Sequence, residues 1–361
     1  MRHAELIKVL IVDDSALIRS MLSRILAGEP DIDVVGGAKD PYEARELIIA
    51  HRPDVIILDV EMPRMDGLTF LGKLRVHYPV PVIMCSGVAP SSSETALTAI
   101  ELGAIDVVSK PKSGGREALC KLGSDLAEKI RAAAMSMPPP PPIPKSVNAE
   151  PQSFRSCGLD PNRFVVAIGA STGGTEAIRG VLEHVPPDFP PVVMVQHMPE
   201  GFTKSFAGRL DQLSRVHVTE AVDGDVLEPG RAFLARGGIQ MVVRPGPGKW
   251  RLAYTDREPV NRHCPSVDVL FDSVARHVGR RAVGVLLTGM GADGAKGLLE
   301  MREQGAVTLA QDQRSCVVYG MPKVAVELNA VQHQKPPAEI PRTIAHALQA
   351  NRPTRTVART H

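Results

Sequence analysis

A serine between glycines is the residue of this sequence with the most evident chemistry. Gly-Ala-Ser-Thr-Gly at residues 169–173 follows the apolar run 164–168 and precedes helical spacing at Glu176, Ile178, Val181 and Leu182. A strand-to-helix turn of this kind exposes the serine oxygen and directs helix N-terminal amides at negative charge forming beside it. Ser171 is therefore the candidate nucleophile for acyl transfer. Such a turn could also hold a phosphate, but this one has neither the G-x-G-x-x-G spacing nor the Gly-Lys-Ser/Thr ending of phosphate-binding loops.

A nucleophilic serine needs a base that takes its proton and a carboxylate that orients the base. His197 follows the apolar run 192–196, and Asp293 lies in a glycine- and alanine-rich segment after the apolar run 282–287. The carboxyl ends of parallel strands share one crevice, so these side chains could meet Ser171 there. Two alternatives stay open, since a single histidine is often an ordinary residue of the fold and Asp293 could cap a helix.

The N-terminal half also carries polar side chains where apolar runs end. They are Asp13, Asp14, Asp59, Ser86 and Lys110. Clustered carboxylates repel one another unless a cation neutralises them, and hard oxygen ligands suit Mg²⁺. One carboxylate could then accept a phosphoryl group, with the ammonium and the hydroxyl binding its oxygens. The alternative is that the acids cap the helices that follow.

Alternating apolar runs and helical patterns predict the elements that position these groups. In the N-terminal half the runs are 8–12, 33–36, 54–58, 80–84 and 104–108. This alternation predicts a parallel sheet with helices on both faces, and the C-terminal half shows it too. Residues 240–244 and 250–254 flank Pro-Gly-Pro-Gly-Lys and predict an antiparallel hairpin. We therefore predict an α/β protein of two doubly wound domains with mostly parallel sheets.

A proline run divides the chain. Residues 138–144 read Pro-Pro-Pro-Pro-Pro-Ile-Pro, which favours extended polyproline II and is typical of a semi-rigid spacer. Such a run can also bind aromatic grooves, but its place between two folded halves favours the linker. We predict domains at residues 1–133 and 163–350, a linker at 134–162 and a disordered basic tail at 351–361.

Composition limits the class of protein. The chain has 361 residues, 43% of them hydrophobic, and a formal net charge of +2, which suits two ordinary domains. The basic residues are dispersed and predict no nucleic-acid binding. Five cysteines without a C-x-x-C pair argue against a disulfide framework or a zinc site. With neither a signal peptide nor a membrane-spanning run, we expect a cytoplasmic protein without membrane insertion.

The N-terminal motifs resemble the receiver domain of two-component response regulators. They are Asp13-Asp14, Leu-Asp-Val-Glu-Met-Pro-Arg-Met-Asp-Gly at 58–67 and Ser-Lys-Pro at 109–111. The resemblance implies a flavodoxin-like fold and a histidine kinase as phosphodonor. It assigns Asp59 as the phosphoacceptor, Ser86 and Lys110 as the phosphate-sensing pair, and a Mg²⁺ site to Asp14, Asp59 and the backbone carbonyl of Glu61, with Asp13 close by. Val107 stands where many receivers carry a mobile aromatic.

The C-terminal motifs are similar to those of the protein-glutamate methylesterase/protein-glutamine glutaminase family of bacterial chemotaxis, the CheB family. They are Gly-Ala-Ser-Thr-Gly-Gly at 169–174, Gln-His-Met-Pro at 196–199, Phe-Ala-Gly-Arg-Leu-Asp at 206–211, Asn-Arg-His-Cys-Pro-Ser-Val-Asp at 261–268 and Leu-Thr-Gly-Met-Gly-Ala-Asp-Gly at 287–294. With the receiver, the match spans nearly the whole chain. It implies a Rossmann-like catalytic domain whose catalytic positions are Ser171, His197 and Asp293.

The same resemblance implies hydrolysis of γ-glutamyl methyl esters on chemoreceptor cytoplasmic helices, often with deamidation of receptor glutamines, and no cofactor for the esterase. Substrate contacts are expected at residues 263–268, where Cys264 stands in place of a frequent arginine. We further expect backbone amides near Thr172 and Met290 to form the oxyanion hole. The unphosphorylated receiver is expected to cover the crevice until Asp59 is phosphorylated.

Two other classes of function remain as alternatives. Many receivers drive DNA-binding outputs, but near-neutral charge and the lack of a helix-turn-helix pattern after residue 163 disfavour a transcriptional regulator. A phosphorylation-dependent scaffold without turnover is the second alternative, because a hydrolase-like fold does not by itself fix function.

Overall fold

Two parallel sheets organise the chain. The structure, a computed structural model, describes residues 6–87, 90–110, 116–136 and 153–350. The proline run at 138–144 and the tail predicted at 351–361 therefore lie outside the described residues. The predicted α/β class with two mostly parallel sheets is confirmed.

The N-terminal half is a five-stranded parallel sheet in the order β2-β1-β3-β4-β5. Its strands are β1 Ile7–Val12, β2 Ile32–Ala38, β3 Val55–Asp59, β4 Val82–Ser86 and β5 Asp106–Ser109. Its helices are α1 Ala16–Leu26, α2 Pro41–His51, α3 Gly67–His77, α4 Pro90–Glu101 and α5 Arg116–Met135. All five predicted strands are present, with boundaries displaced by at most two residues.

Side chains of the loops define where three of these helices begin. Ser15, Asp40 and Asp66 are the N-cap residues of α1, α2 and α3, and each accepts a hydrogen bond from a backbone N–H of the first turn. Asp13 and Asp59 are therefore not the residues that cap these helices. Their carboxylates remain available at the sheet edge.

The C-terminal half is a seven-stranded parallel sheet in the order β14-β13-β12-β6-β7-β9-β8, with a separate antiparallel hairpin β10-β11. The strands are β6 Val165–Ala170, β7 Val192–Gln196, β8 His217–Glu220, β9 Arg231–Leu234, β10 Met241–Pro245, β11 Trp250–Tyr254, β12 Ala282–Leu286, β13 Val307–Gln311 and β14 His333–Lys335. The helices are α6 Gly174–Leu182, α7 Phe202–Leu213, α8 Val267–His277, α9 Ala295–Glu303, α10 Met321–Glu327 and α11 Ile340–Ala350. The predicted hairpin is confirmed.

The predicted linker is too long at its C-terminal end. Residues 153–162 pack on the C-terminal half: Phe154 is buried, with its ring centroid 5.5 Å from that of Phe189. The Asp188 carboxylate accepts the Phe154 N–H at 2.8 Å. Polar composition suggested a spacer here, but the buried side chains of Phe154 and Leu159 supply enough apolar surface to attach this segment to the fold.

The two halves contact each other through α4 and α5. Leu97 and Ile100 of α4 belong to the same apolar cluster as Phe206 and Leu210 of α7. At the edge of this contact, Glu101 accepts two hydrogen bonds from the Arg209 guanidinium, at 2.6 and 2.7 Å. A bidentate pair fixes orientation as well as distance, so it sets the position of α4 on α7.

None of the helices within the described ranges combines the length and the apolar character that crossing a bilayer requires.

Candidate active site

Strand register places Ser171 beside His197. Ala170 at the end of β6 pairs with Gln196 at the end of β7, so the two residues that follow are neighbours. The His197 N–H donates to the Ala170 carbonyl at 3.1 Å, and the Ser171 N–H donates to the Thr288 carbonyl at 3.0 Å. Both side chains are buried at the carboxyl edge of the sheet, where the sequence predicted their meeting.

The Asp293 carboxylate is bound to the imidazole of His197. Its Oδ2 lies 2.8 Å from His197 Nε2 and also accepts the Val267 N–H at 2.7 Å. Its Oδ1 accepts from Ser266 Oγ and Asn261 Nδ2, both at 2.7 Å. Helix α9 begins at Ala295 with Gly294 as its N-cap, so the alternative that Asp293 is the N-cap of the helix that follows it is wrong.

These bonds keep the Asp293 carboxylate charged. Burial raises its pKa, but hydrogen bonds from His197, Asn261 and Ser266 outweigh burial and hold the pKa below its ordinary value. A permanently ionised acid is what a neighbouring imidazole needs to become an imidazolium.

Sequence analysis expected substrate contacts from residues 263–268. In the structure, Ser266 and Val267 donate hydrogen bonds to Asp293, so part of this motif orients the acid. No local pattern signals this role, because the donors reach Asp293 only through the tertiary fold. The substrate contacts of the motif stay a prediction.

His263 stacks on the candidate base. The two imidazole rings are nearly parallel, with centroids 3.6 Å apart and 11° between their planes. Burial, followed by repulsion from His197, lowers the pKa of His263 to about 3. His263 is therefore neutral near pH 7, and it fixes the plane of His197 without adding a competing charge.

A glycine allows close approach of the loop that carries Met290. A Cβ atom on Gly289 would lie 2.7 Å from Ser171 Cβ and 2.3 Å from Met321 Sδ. The Gly289 segment therefore passes directly against the candidate nucleophile. Thr172 follows Ser171 and is buried. The assignment of the Thr172 and Met290 amides to an oxyanion hole stays a prediction.

A second polar site lies at the carboxyl edge of the N-terminal sheet. The Lys110 ammonium lies 2.7 Å from Asp59 Oδ2 and 3.1 Å from Asp13 Oδ2. Burial raises the pKa of Asp59 to about 6, against the opposing effect of Lys110. Ser86 is buried at the end of β4, and its carbonyl accepts the Lys110 N–H at 2.8 Å.

Oxygen atoms of Asp13, Asp14 and Asp59 all lie within 4.8 Å of one another. Three carboxylates facing one ammonium leave negative charge, and such a donor set fits a hard divalent cation such as Mg²⁺. The Glu61 side chain is exposed, and its N–H donates to Asp59 Oδ1 at 3.2 Å. Val107 is fully buried in β5, where it packs within the core.

Comparisons with known proteins identify the family of each half of the chain. The family model described as CheB methylesterase matches residues 166–344, and the response regulator receiver domain matches residues 9–121. A protein-glutamate methylesterase/protein-glutamine glutaminase of Chromohalobacter salexigens is 50% identical over 345 residues, covering 96% of this chain and 97% of that protein. The chain belongs to the CheB methylesterase family. The resemblance inferred from the motifs is thereby confirmed.

Two further relatives of this CheB-family chain agree. A protein of the same description from Paraburkholderia xenovorans is 51% identical over 333 residues, covering 90% of this chain and 91% of that protein. Among solved structures, the Thermotoga maritima CheB methylesterase catalytic domain is similar with 36% identity and a TM-score of 0.50. It covers 51% of this chain and 98% of that domain.

Helix α5 of the receiver lies over the candidate active site of this CheB-family chain. A cavity of about 340 Å³ separates them, lined on one side by Asp125, Glu128 and Lys129 and on the other by His197, Arg262 and His263. Across it, Glu128 Oε1 lies 3.8 Å from His263 Nε2. The receiver thus restricts access to His197.

Replacing Gly289 by alanine tests the close approach at Ser171. We expect Gly289→Ala to lower the free energy of unfolding by about 1–3 kcal/mol, because the added methyl group overlaps Ser171 and Met321. Displacement of Ser171 should also lower kcat by about tenfold or more. Urea unfolding and steady-state kinetics measure the two effects.

The control is Gly208→Ala in α7, where nothing lies within 4 Å of the added methyl group. It should raise the free energy of unfolding by about 0.5–1 kcal/mol, since alanine is the better helix former. Equal effects of the two substitutions would contradict the close approach.

The lowered pKa of Asp293 predicts a pH-dependent contribution to stability. Its ionised form stabilises the fold at pH values above the ordinary carboxyl pKa of 3.8, and this contribution is lost as pH falls through the lower folded-state pKa. We expect Asp293→Asn to lower the free energy of unfolding by about 1–3 kcal/mol at pH 7. The difference from the parent protein should shrink at pH 3.

Urea unfolding at both pH values measures this difference. Asp211→Asn is the control, because it weakens a pair with the exposed His217 and should cost about 1 kcal/mol or less. A deficit of Asp293→Asn that is the same at pH 7 and pH 3 would contradict the electrostatic explanation.

Proposed function

We propose that this chain is a phosphorylation-activated protein-glutamate methylesterase. Its substrates would be γ-glutamyl methyl esters on cytoplasmic helices of chemoreceptors, and it would also deamidate receptor glutamines. The names of the relatives support both activities. The observation that carries the proposal is the bond between His197 and Asp293 at the edge where Ser171 follows β6.

The proposed reaction is acyl transfer through Ser171. His197 Nε2 is bound to Asp293, while Nδ1 is buried and has no hydrogen-bond partner among the described residues. Nδ1 is therefore the ring nitrogen that would take the Ser171 proton. The serine oxygen then attacks the ester carbonyl, and methanol leaves with that proton. Water hydrolyses the acyl-enzyme, and the glutamate carboxylate is released.

The transition state carries negative charge on the former carbonyl oxygen. The amides of Thr172 and Met290 are the proposed donors to this oxygen. The positions of the two residues support this proposal. Thr172 directly follows Ser171, and Gly289 allows the segment that carries Met290 to lie against Ser171. One such donor typically lowers the barrier by about 3–4 kcal/mol.

We propose that the receiver controls the esterase activity. Asp59 would accept a phosphoryl group from a histidine kinase, and Ser86 and Lys110 would bind its oxygens. Asp13, Asp14, Asp59 and the Glu61 carbonyl would hold Mg²⁺, which when bound neutralises charge during phosphoryl transfer. The α5 contact over the active site supports a mechanism in which phosphorylation uncovers His197.

The cytoplasm is the proposed location, because the cytoplasmic helices of receptors and a kinase would be the partners. A DNA-binding output is disfavoured, since the described C-terminal residues form a parallel sheet whose edge carries the serine site. A scaffold without turnover is disfavoured, since it would not need the charged Asp293 to be bound to the His197 imidazole at the edge where Ser171 follows β6.

Release of labelled methanol from methylated receptor membranes tests the proposal. We expect release from the full-length protein, and faster release after treatment with a small phosphodonor. A serine-reactive phosphonate should label Ser171, as identified by mass spectrometry of the digested protein. Absence of methanol release under both conditions would refute the esterase assignment.

A further inference from the structure

Helix α5 presents a row of side chains to the cavity above the active site. Leu122, Asp125 and Glu128 recur every three residues along the helix, and all line this cavity. Glu128 extends towards the catalytic loops. Its Oε1 lies 3.8 Å from Nε2 of His263, the ring that stacks on His197.

The same carboxylate also faces the loop between Gly289 and Asp293. A Cβ atom on Gly291 would lie 3.9 Å from Glu128 Oε1, and apart from Gly291 and its two chain neighbours no other described residue has an atom within 4 Å of that position. Gly291 stands between Met290, a proposed oxyanion residue, and Asp293. The Glu128 side chain is 21% exposed. It therefore lies between the histidine stack and the loop that carries the catalytic acid.

A carboxylate is an unfavourable group to place here for packing alone. Burial raises the pKa of Glu128, and attraction to His197 and Arg262 offsets only part of that effect. An apolar side chain would cover the cavity without the cost of removing a charge from water. Covering the cavity therefore does not explain why residue 128 is a glutamate.

The proposed reaction supplies such a reason. Its product is a glutamate γ-carboxylate carried by a helix, and α5 is a helix that presents a glutamate γ-carboxylate to the same loops. We propose that Glu128 occupies the subsite that receives the substrate glutamyl group, so that α5 blocks the enzyme as an internal product analogue. This inference rests on the proposed esterase function and extends it to the mode of substrate binding.

Two consequences follow for recognition and control. A receptor helix would bind across the same cavity as α5, with its glutamyl side chain between His263 and Gly291. Receptor and receiver would therefore compete for one subsite. The bidentate pair of Glu101 with Arg209 would keep the receiver, and with it α5, in place over that subsite. Phosphorylation would favour the receptor by displacing α5.

The experiment measures methanol release by full-length protein without phosphodonor. Glu128→Met keeps the length and apolar bulk of the side chain but removes the carboxylate. We expect it to raise the basal rate by about 5- to 150-fold, the usual range of coupling between two sites. Asp125→Asn neutralises the neighbouring acid of the same helix face and should leave the basal rate within about twofold of the parent.

A helical peptide with one glutamate serves as a product probe, and the same peptide with alanine is its control. The glutamyl peptide should inhibit Glu128→Met and the phosphodonor-treated parent, and it should inhibit the untreated parent at least about fivefold less strongly. The alanine peptide should inhibit none of them. Equal activity of Glu128→Met and the parent after phosphodonor treatment shows that the variant is folded.

The outcomes separate the two proposals. If the treated parent releases methanol but Glu128→Met has the parent's basal rate, Glu128 is only a cover and the product-analogue inference is wrong. The same conclusion follows if both peptides inhibit Glu128→Met equally. If the treated parent releases no methanol, the esterase function fails, and this inference fails with it.

Discussion

Replacing Ser171 by alanine is expected to reduce methanol release by about 10⁴-fold or more, because no other group can form the acyl-enzyme. The hydroxyl lies at the end of β6, next to His197 in the strand register, and alanine keeps the backbone of this turn. Substrate binding should persist, so the loss should appear in kcat rather than in KM. Labelled methanol from receptor membranes, measured after phosphodonor treatment, gives both parameters.

Ser205→Ala is the matched control, because Ser205 lies in α7 and lines a cavity away from His197. It should retain the activity of the parent. Labelling by the phosphonate should disappear only in Ser171→Ala. Unchanged methanol release by Ser171→Ala would remove this serine from the mechanism and, with it, the proposed acyl-enzyme.

Replacing Asp59 by alanine is expected to abolish activation by a phosphodonor while leaving the basal rate in place. Asp59 is buried 2.7 Å from the Lys110 ammonium and lies within the carboxylate cluster that fits Mg²⁺, and it is the proposed phosphoacceptor of this cluster. The ratio of methanol release with and without phosphodonor should fall from its parent value to about one, since coupling of this kind typically amounts to about 5- to 150-fold.

Asp33→Ala, an exposed acid on β2, is the control and should keep the full ratio. Retention of labelled phosphate by the protein provides a second measurement, and only Asp59→Ala should lose it. An Asp59→Ala protein that is activated as strongly as the parent would rule out control through this aspartate.

Short sequence patterns were enough to locate the elements that end in functional residues. The runs before Asp13, Asp59, Ser171 and His197 are apolar, and the structure has a buried parallel strand at each one. Burial on both faces makes such strands continuous apolar runs, which is why they can be identified locally. Strands β8, β9, β13 and β14 were not predicted, because polar residues interrupt or shorten their apolar runs, as in His-Val-Thr-Glu of β8 and His-Gln-Lys of β14.

The boundary of the C-terminal half shows a limit of composition as a signal. Residues 153–162 are polar overall, and the sequence placed them in the linker. Phe154 nevertheless packs against Phe164 and Phe189, and Asp188 holds the backbone of this segment. The burial of Phe154 and Leu159 stabilises this segment on the fold, but the average composition of the segment conceals it.

The sequence by itself determined which residues carry reactive groups and which strand ends present them, because both depend on residue type and on the short periodicity of buried strands. Only the tertiary structure decided what orients those groups. Asn261 and Ser266 reach Asp293 from about thirty residues away, and His263 stacks on His197 across more than sixty. The approach of Glu128 to this site likewise depends on the packing of one half on the other. Contacts of this kind arise from chain folding over long separations, so no local pattern encodes them.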